Sequence, residues 1–437
     1  MSRRTLAQWL ERQESVHARS IDLGLERVST VARTLDLLRP PYRVVTVAGT
    51  NGKGSTVAYL EALLLAHGFR TGSLTSPHLR RYNERVRVQG EEAGDEELIR
   101  AFERIDAARG ATTLTFFEYN ALAALLVFAE RRIEVAVLEV GLGGRLDATN
   151  IVDADVAVLC SVGFDHRDWL GDTLEAIGAE KAGIFRAGRP AVLGTPRMPA
   201  SVQAAAERLR AQLSVAERDF SWSVRERAAP AAAAVDWTYR GLRTTLEGLP
   251  PPALAGAVQF RNAATALAAC ECLPGMPALE ARRVAEALQA VQLAGRFQSV
   301  WLTDEWRTGD VQWILDVAHN EPAAQILAEN LLAGRRTGRT YAVCSILRDK
   351  DVEAIGRVVA PLIQEWILCG VEGPRGSTAG ELAARLAASV SGPRLADSVA
   401  AGCARARSLA RAGDRVVVFG SFATVTAALE WLQSLGA

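Results

Sequence analysis

The chain contains a glycine-rich segment with the residue types of a phosphate-binding loop. It follows an apolar, strand-like run at 43–48 and precedes a helical run at 57–67. Glycines allow backbone N–H groups to converge at a helix N-terminus, where they bind phosphate. The lysine of the segment would reach the terminal phosphates, and the serine hydroxyl would bind Mg²⁺. The segment consists of Ala48, Gly49, Thr50, Asn51, Gly52, Lys53, Gly54, Ser55 and Thr56.

The spacing of this loop differs from the common phosphate-loop pattern G-x-x-x-x-G-K-[ST]. Two residues separate Gly49 from Gly52, and Gly54 lies between Lys53 and Ser55. The alternative interpretation is a glycine-rich turn, such as a hairpin corner at the Asn-Gly pair. Three glycines, a lysine and two hydroxyls at one strand-to-helix junction favour the phosphate loop.

Other polar side chains follow predicted strands directly. Glu139 comes after the strand at 133–138, and His166 follows the strand at 155–162. Because ligands bind at the carboxyl ends of parallel strands, both side chains could meet Ser55 around one cation. Mg²⁺ prefers oxygen ligands, so the imidazole is the least typical member of this group. The alternatives are a capping or salt-bridged carboxylate for Glu139 and a hydrogen-bonded turn histidine for His166.

Three further segments carry polar groups, each with two interpretations. Lys181 lies in a helical stretch, where a lysine is usually solvated. Asp316 and His319 follow a strand in the second half of the chain, where Asn320 alternatively starts a helix as its N-cap. The polar loop at 76–85 is cationic and could meet an anionic substrate, although most charged runs are solvated faces.

Strand-like and helical runs alternate along the chain, which predicts a parallel α/β fold. A boundary near 293–296 separates a larger domain, 1–295, from a smaller domain, 296–437, in which the alternation restarts. The predicted strands are 43–48, 71–75, 133–140, 155–162, 189–194, 313–316, 340–344, 366–369 and 415–419. The predicted helices are 57–67, 95–109, 117–130, 172–183, 261–272, 277–291, 322–334, 351–363, 378–389 and 422–434.

The composition excludes several classes of protein. A length of 437 residues with 49% hydrophobic residues supports two or three cores and argues against disorder. The 50 basic and 50 acidic residues balance, so neither a nucleic-acid surface nor a membrane-binding block is predicted. The N-terminus lacks the apolar core of a signal peptide, and no apolar run is long enough to span a membrane. The six scattered cysteines show no zinc spacing, which is typical of a cytoplasmic protein.

Taken together, these segments resemble the Mur ligase superfamily and, within it, the folylpolyglutamate synthase branch that includes the bifunctional dihydrofolate synthases. The loop at 76–78 and Phe117 point to folate rather than to cell-wall precursors. The resemblance implies an N-terminal Mur-ligase-type P-loop ATPase domain with a parallel-rich sheet and a smaller C-terminal Rossmann-like α/β domain. The similar segments are 21–28, 49–55, 76–87, 115–118, 139–150, 165–171, 180–184, 262–268, 295–296 and 316–320.

The resemblance also implies roles for individual residues. Two magnesium ions would be held by Ser55, Ser76, Glu139, His166 and a carbamylated Lys181. ATP would bind between the domains through Gly49 to Thr56, Asn262, Arg296 and Asp316. The pterin would contact Ser76, Pro77, His78, Arg85, Phe117, Asp147 and Ala148, and the incoming glutamate would lie near His319 and Ser421. The catalytic residues would be Lys53, Glu139, His166, Lys181 and His319.

The reaction implied is ATP-dependent addition of L-glutamate to dihydropteroate, which forms dihydrofolate, and to reduced folates, which extends folylpolyglutamate chains. An acyl phosphate would be the intermediate, and ADP and phosphate would leave. One alternative is that only one of the two activities is present. Two others are a Mur-type ligase with a different acceptor and a nucleotide-binding regulator without ligase chemistry. A monomer in the cytoplasm is expected.

Overall fold

Buried apolar runs form the parallel strands that position the phosphate loop. The structure, a computed structural model, describes residues 4–19, 21–226, 235–302, 310–334 and 338–436. The chain divides into two units, Met1–Ala253 with Gln259–Val291 and Leu254–Val258 with Gln292–Ala437.

The larger sheet of the first unit has eight strands in the described residues, in the order β4-β3-β2-β5-β1-β6-β7-β8. The strands from β2 to β8 in this order pair in parallel, whereas β3 and β4 are antiparallel. A separate antiparallel sheet has the order β11-β10-β9. The strands are β1 Arg43–Ala48, β2 Thr71–Leu74, β3 Val86–Val88, β4 Glu91–Glu92, β5 Val135–Glu139, β6 Val156–Leu159, β7 Pro190–Leu193, β8 Gln212–Val215, β9 Ser221–Glu226, β10 Val235–Arg240 and β11 Thr245–Leu249.

Helices connect the parallel strands of this unit. Short 3₁₀ segments at Tyr82–Arg85 and Ala148–Ile151 interrupt two of the loops at the sheet edge. The helices are α1 Leu6–Val16, α2 Glu26–Thr34, α3 Lys53–Ala66, α4 Asp95–Arg109, α5 Phe116–Glu130, α6 Arg167–Leu170, α7 Leu174–Ala182, α8 Ala200–Leu209, α9 Val258–Cys272 and α10 Ala281–Ala290.

The central strands are buried on both faces, which explains their continuous apolar sequences. Every residue of β5 and β6 is buried, as are the last five residues of β1. Helix α5 is also buried along most of its length, and its start is fixed by a capping box between Thr115 and Glu118.

The second unit has a six-stranded sheet in the described residues, in the order β12-β13-β17-β14-β15-β16. Strand β12 is antiparallel to β13, and the other pairs are parallel. The strands are β12 Gln298–Leu302, β13 Val311–Asp316, β14 Thr340–Cys344, β15 Glu365–Cys369, β16 Arg394–Ala396 and β17 Arg415–Phe419. The helices are α11 Glu321–Ala333, α12 Val352–Val359, α13 Ala379–Leu386, α14 Val399–Leu409 and α15 Phe422–Ser434.

The predicted parallel α/β class is confirmed, but one helix boundary is wrong in a way that matters for the site. Helix α3 begins at Lys53 rather than near 57. Gly52 takes a left-handed conformation and serves as N-cap, so the loop passes into the helix without an intervening turn. Lys53, Gly54 and Ser55 therefore belong to the first turn of the helix.

Candidate active site

The loop between β1 and α3 places a row of backbone N–H groups at a helix N-terminus. Gly52 has φ +89°, and a Cβ there would lie 3.0 Å from Asn262 Oδ1. A side chain at this position would therefore be strained and would displace Asn262. The loop joins a strand to a helix, which excludes the hairpin-corner interpretation.

Hydrogen bonds to the segment that follows β6 hold this loop in one conformation. The Thr50 N–H donates to the Ser161 carbonyl at 2.9 Å, and the Thr50 hydroxyl donates to the Gly163 carbonyl at 3.0 Å. The Asn51 N–H donates to Ser161 Oγ at 3.1 Å. Lys53 Nζ donates to the Gly49 carbonyl at 3.1 Å, so the ammonium folds back over the loop. The loop is thus preorganised for an anion before one binds.

Glu139 and Ser76 meet at the carboxyl edge of the same sheet. The Ser76 N–H donates to Glu139 Oε2 at 3.1 Å, and the Glu139 side chain is buried. Glu139 is also the register partner of Val47, one residue before the end of β1. Ser55, 2% exposed, lies in the helix turn that follows this strand. The structure therefore places three of the five predicted metal ligands at adjoining strand ends.

His166 follows β6 and is held in a left-handed conformation, with φ +51°. This conformation is costly for a residue with a Cβ, by about 1 kcal/mol or more, and such strain clusters at functional sites. The His166 N–H donates to Asp165 Oδ1 at 2.9 Å. The side chain is 31% exposed, and the residue is the N-cap of the short helix α6 without a capping hydrogen bond from its ring. Its ring is therefore accessible for ligation.

Lys181 lies near the end of α7 and is only 5% exposed. This burial excludes the solvated helix lysine as an interpretation. Burial, followed by the charge of Lys53, lowers the Lys181 pKa to about 7, while Asp165 and Asp147 oppose the shift. The two ammonium groups consequently act on one another electrostatically, and a large fraction of Lys181 is neutral near pH 7.

The loop at 141–147 joins the predicted pterin residues to the helix that carries Lys181. The Arg145 N–H donates to the Glu180 carbonyl at 2.8 Å. The Asp147 carboxylate accepts from the Leu142 N–H at 2.9 Å, and burial raises its pKa. A Cβ on Gly141 would lie 2.6 Å from the Phe117 ring, so this ring packs directly on the loop. The loop at 141–147 is therefore bordered by Phe117, Asp147 and Ala148.

His78 and Arg85 form a pair within the loop at 76–85. Arg85 Nε donates to His78 Nδ1 at 2.7 Å, and the Arg85 guanidinium lies 5.2 Å from the centre of the Phe116 ring. Burial, followed by the charge of Arg85, lowers the His78 pKa to about 4. His78 is therefore neutral near pH 7, with Nδ1 as the acceptor. The same loop holds Pro77, which follows Ser76 through a cis peptide bond.

One carboxylate fixes the turn in this loop. Glu84 accepts the backbone N–H groups of Leu79 and Arg80 at 2.8 Å and of Arg81 at 2.9 Å. These bonds hold the pKa of Glu84 below its usual value despite partial burial. The carboxylate thus fixes the backbone between Ser76 and Arg85.

We expect Glu84→Ala to raise the KM of the pterin-linked acceptor about tenfold or more, with little change in the KM of ATP. Hydrogen bonds to a charged group contribute about 1.5–3 kcal/mol each, and three are lost. Steady-state kinetics with each substrate varied in turn measures the KM of the acceptor and the KM of ATP separately. Glu92→Ala is the control, since Glu92 contacts the loop through Arg81 at 3.8 Å. An acceptor KM within twofold of wild type would contradict the role of Glu84.

In the second unit, Asp316, His319 and Ser421 lie at or just after the carboxyl ends of β13 and β17. Arg296 precedes β12, whose first residue pairs with Leu315 of β13. Asp316 accepts the Phe297 N–H at 2.9 Å, and burial raises its pKa. Arg296 lies over the Phe422 ring at 5.3 Å, and the His319 ring centre lies 6.2 Å from that ring. Ser421 is buried and caps α15, as Asn320 caps α11. Asn262 belongs to the first unit, next to the phosphate loop.

Sequence reasoning did not single out Lys350, although the rarity of lysine in this chain draws attention to it. Only three of the 50 basic residues are lysines, namely Lys53, Lys181 and Lys350. Lys350 is 6% exposed and lies in the loop that follows β14. This loop also contacts the start of α15, where the Thr424 hydroxyl donates to the Ser345 carbonyl at 2.8 Å.

The residues at the edge of the first sheet suit a hard cation that shares its ligands with a phosphate. Within the described part of the chain, no three His, Cys, Asp or Glu side chains converge as a self-sufficient metal cage. Mg²⁺ is commonly bound by one or two carboxylates together with substrate phosphates. Glu139 and the Ser55 and Ser76 hydroxyls beside a phosphate loop fit that pattern.

No helix among the described residues is long and apolar enough to cross a membrane.

Family models match two long stretches of the chain. Residues 47–270 match the Mur ligase middle domain, and residues 295–422 match the glutamate ligase domain of Mur ligases. Dihydrofolate synthase/folylpolyglutamate synthase of Escherichia coli is 44% identical over 98% of this chain and 96% of its own length. The enzyme of Haemophilus influenzae is 42% identical and covers 96% of each chain.

Solved structures agree with these matches. E. coli FolC in complex with DHPP and ADP has a TM-score of 0.90 at 42% identity, covering 99% of both chains. A bifunctional folylpolyglutamate synthase/dihydrofolate synthase with Mn, AMPPNP and L-glutamate bound has a TM-score of 0.87, also at 42% identity, covering 98% of both chains.

The fold and these matches together define an ATP-dependent carboxylate–amine ligase with the Mur ligase architecture. Within that class, the chain belongs to the dihydrofolate synthase/folylpolyglutamate synthase family.

Proposed function

We propose that this protein joins L-glutamate to dihydropteroate, which forms dihydrofolate, and to the glutamate chain of reduced folates. The observation that carries the proposal is the hydrogen bond from the Ser76 N–H to Glu139 at 3.1 Å. It couples the loop that carries the predicted acceptor residues to a buried carboxylate beside the phosphate loop. The phosphoryl donor, ATP, and the carboxylate of the acceptor would therefore meet at one edge of the sheet.

The first step converts a poor electrophile into a reactive one. The acceptor carboxylate attacks the γ-phosphorus of ATP, the bond from that phosphorus to the β–γ bridging oxygen breaks, and ADP leaves. The loop N–H groups and Lys53 would bind the phosphates and stabilise the charge on the transferring group. Asn262, Arg296 and Asp316 would bind the rest of the nucleotide.

Two magnesium ions would be held by Ser55, Ser76, Glu139, His166 and Lys181 as its carbamate. When bound, they would neutralise phosphate charge. Carbamylation requires a neutral amine, and the lowered pKa of Lys181 supplies one near neutral pH. The carbamate would turn a buried cation into an oxygen ligand, which also removes its repulsion from Lys53.

The second step forms the amide. The glutamate amine, after losing a proton, attacks the acyl carbon, and inorganic phosphate leaves with the electrons of the carbon–oxygen bond. His319 and Ser421 would orient the glutamate. Pro77, His78, Arg85, Phe117, Asp147 and Ala148 would surround the pterin. We assign ATP and folate binding to residues 1–295 and the glutamate and remaining ATP contacts to residues 296–437.

The proposal is tested by ADP release from purified protein with ATP, Mg²⁺ and L-glutamate, supplied with dihydropteroate or a reduced folate monoglutamate in turn. Release with both acceptors, with products confirmed by mass, is the expected result. Release with one acceptor would restrict the enzyme to that activity. ATP binding without release would favour a Mur-type ligase with another acceptor or a nucleotide-binding regulator. We expect the enzyme to act as a monomer in the cytoplasm, without nucleic-acid or membrane partners.

A further inference from the structure

A groove runs along the edge of the first unit's sheet opposite to the candidate active site. Its volume is about 830 Å³, and it is lined by the residues that precede or begin five neighbouring strands. Strand β5 rises about 3.3 Å per residue, so roughly 15 Å of strand separates the groove from Glu139. The groove is therefore a site distinct from the phosphate loop. The charged lining residues are Arg39, Arg43, Arg70, Arg132, Arg189, Glu134, Asp153 and Asp155.

The three acidic residues of the groove are already engaged. Glu134 accepts the Arg70 N–H at 2.9 Å and pairs with its guanidinium at 3.8 Å. Asp155 accepts the Val44 N–H and an Arg189 N–H, each at 2.8 Å.

Asp153 forms an ion pair with Arg186, a residue outside the groove lining. Together with the pairs at Glu134 and Asp155, this leaves the acidic groups of the groove neutralised by arginines.

The remaining arginines carry an excess of positive charge. Arg39 and Arg132 make no side-chain hydrogen bond or ion pair within the described part of the chain. Arg43 donates to the Pro274 carbonyl and lies 4.9 Å from the centre of the Phe69 ring, and neither partner neutralises its charge. Three guanidinium groups thus share one groove without a carboxylate partner there.

Arg132 is also held in a backbone conformation that does not suit it. It follows the last turn of α5 with φ +50°, the position after a helix that glycine usually occupies. A left-handed conformation costs an arginine about 1 kcal/mol or more. Glycine would fit this position without strain, so replacing Arg132 by glycine removes the guanidinium without disturbing the backbone.

Apolar residues complete the groove. Leu38, Pro40, Pro41, Ala129 and Ile133 line it alongside the arginines. The two prolines restrict the backbone that follows Arg39, so the point from which its side chain extends is held in place. Guanidinium groups bind carboxylates and phosphates through paired N–H bonds.

We propose that this groove is a second ligand site, which binds a small anion carrying two or more phosphoryl or carboxylate groups. Arg39 and Arg132 would supply the paired contacts, and Arg43 would add charge at the start of β1. The site is remote from the predicted ATP and folate residues, so its occupancy is separable from ligase activity.

The test is calorimetric titration of the full chain in magnesium-free buffer with EDTA, using sodium pyrophosphate and, separately, tri-L-glutamate. The two probes distinguish a phosphoryl from a carboxylate ligand. The test variant is Arg39→Ser/Arg132→Gly, for which we expect binding of the preferred probe at least tenfold weaker than in wild type. Arg132→Gly relieves the strained backbone, so the variant is expected to unfold at the wild-type temperature or above.

Two further variants separate the groove from other anion sites. Arg131→Ala is the matched control, because Arg131 is adjacent to Arg132 in the chain but pairs with Glu97 at 2.7 Å. The affinity of this variant for the preferred probe should equal that of wild type. Lys53→Ala weakens the phosphate loop and should leave groove binding intact. The proposal is overturned if neither probe binds, or if binding persists in Arg39→Ser/Arg132→Gly. Loss of pyrophosphate binding in Lys53→Ala alone would assign that anion to the phosphate loop and equally overturn it.

Discussion

Lys181→Ala is expected to lower kcat about 10³-fold, with part of the activity restored by added acetate or formate. The proposed carbamate is a ligand of a metal that would neutralise phosphate charge, an effect of several kcal/mol, and each 1.36 kcal/mol corresponds to tenfold in rate. A small carboxylate can occupy the space left by the side chain and replace the missing oxygen ligand. Initial rates of ADP release with increasing acetate measure the restoration.

Lys181→Arg separates the carbamate from a simple buried cation. Arginine keeps the positive charge but cannot form a carbamate near neutral pH, since its guanidinium stays protonated. The variant should therefore be as inactive as Lys181→Ala, although it is not expected to respond to acetate. Activity of Lys181→Arg above a tenth of wild type would contradict carbamylation. Thermal unfolding of both variants checks that the loss is not one of folding.

The same chemistry predicts a pH dependence for carbamate formation. The Lys181 pKa is lowered from 10.5 to about 7, so the neutral amine rises from about a tenth to about nine-tenths of the population between pH 6 and 8. Metal-free protein stripped of CO₂ and then equilibrated with a fixed total concentration of ¹³C-bicarbonate should therefore carry more carbamate as the pH rises through 7, because the neutral amine is the form that combines with CO₂. The intensity of the carbamate signal in the ¹³C NMR spectrum measures the carbamylated fraction. This signal should be absent from Lys181→Ala. A solvated lysine would stay protonated across this range.

The positions that sequence alone could locate are those defined by local pattern. The glycines, Lys53 and Ser55 lie at a strand-to-helix junction that the apolar periodicity makes visible. Glu139 and His166 follow continuous apolar runs, so parallel pairing was enough to bring them to one edge. The start of α3 was misplaced because it depends on the φ of Gly52, which a pattern of residue types does not specify.

Burial of Lys181 could not be predicted from its helix. The helical pattern around it is compatible with a solvated side chain, and its burial comes from the packing of the loop at 141–147 against α7. Glu84 is a similar case, since its three backbone partners are defined only when the turn is folded. Lys350 was detectable in principle, but through the rarity of lysine in this chain rather than through a motif.

Glu139→Gln is expected to lower kcat about 10²–10³-fold while leaving the acceptor KM nearly unchanged. Glutamine keeps the size of the side chain and an oxygen that accepts the Ser76 N–H, now 3.1 Å from Glu139 Oε2. What it removes is the negative charge, which is the property a divalent cation requires of this ligand. A loss confined to kcat would therefore report on the chemical step rather than on the position of the acceptor loop.

Glu134→Gln is the matched control, because Glu134 precedes the first residue of the same strand, at the opposite edge of the sheet. It accepts the Arg70 N–H, and a glutamine oxygen can do the same, so its kcat should equal that of wild type. The ADP affinity of Glu139→Gln, measured in EDTA, distinguishes the loss of cation binding from damage to the phosphate loop. The loop N–H groups are held by Thr50, Asn51 and the segment that follows β6, which Glu139→Gln does not alter, so metal-free ADP binding should be preserved. If Glu139→Gln kept more than a tenth of wild-type kcat, Glu139 would not be a metal ligand in the reaction, and its burial would serve only to hold Ser76.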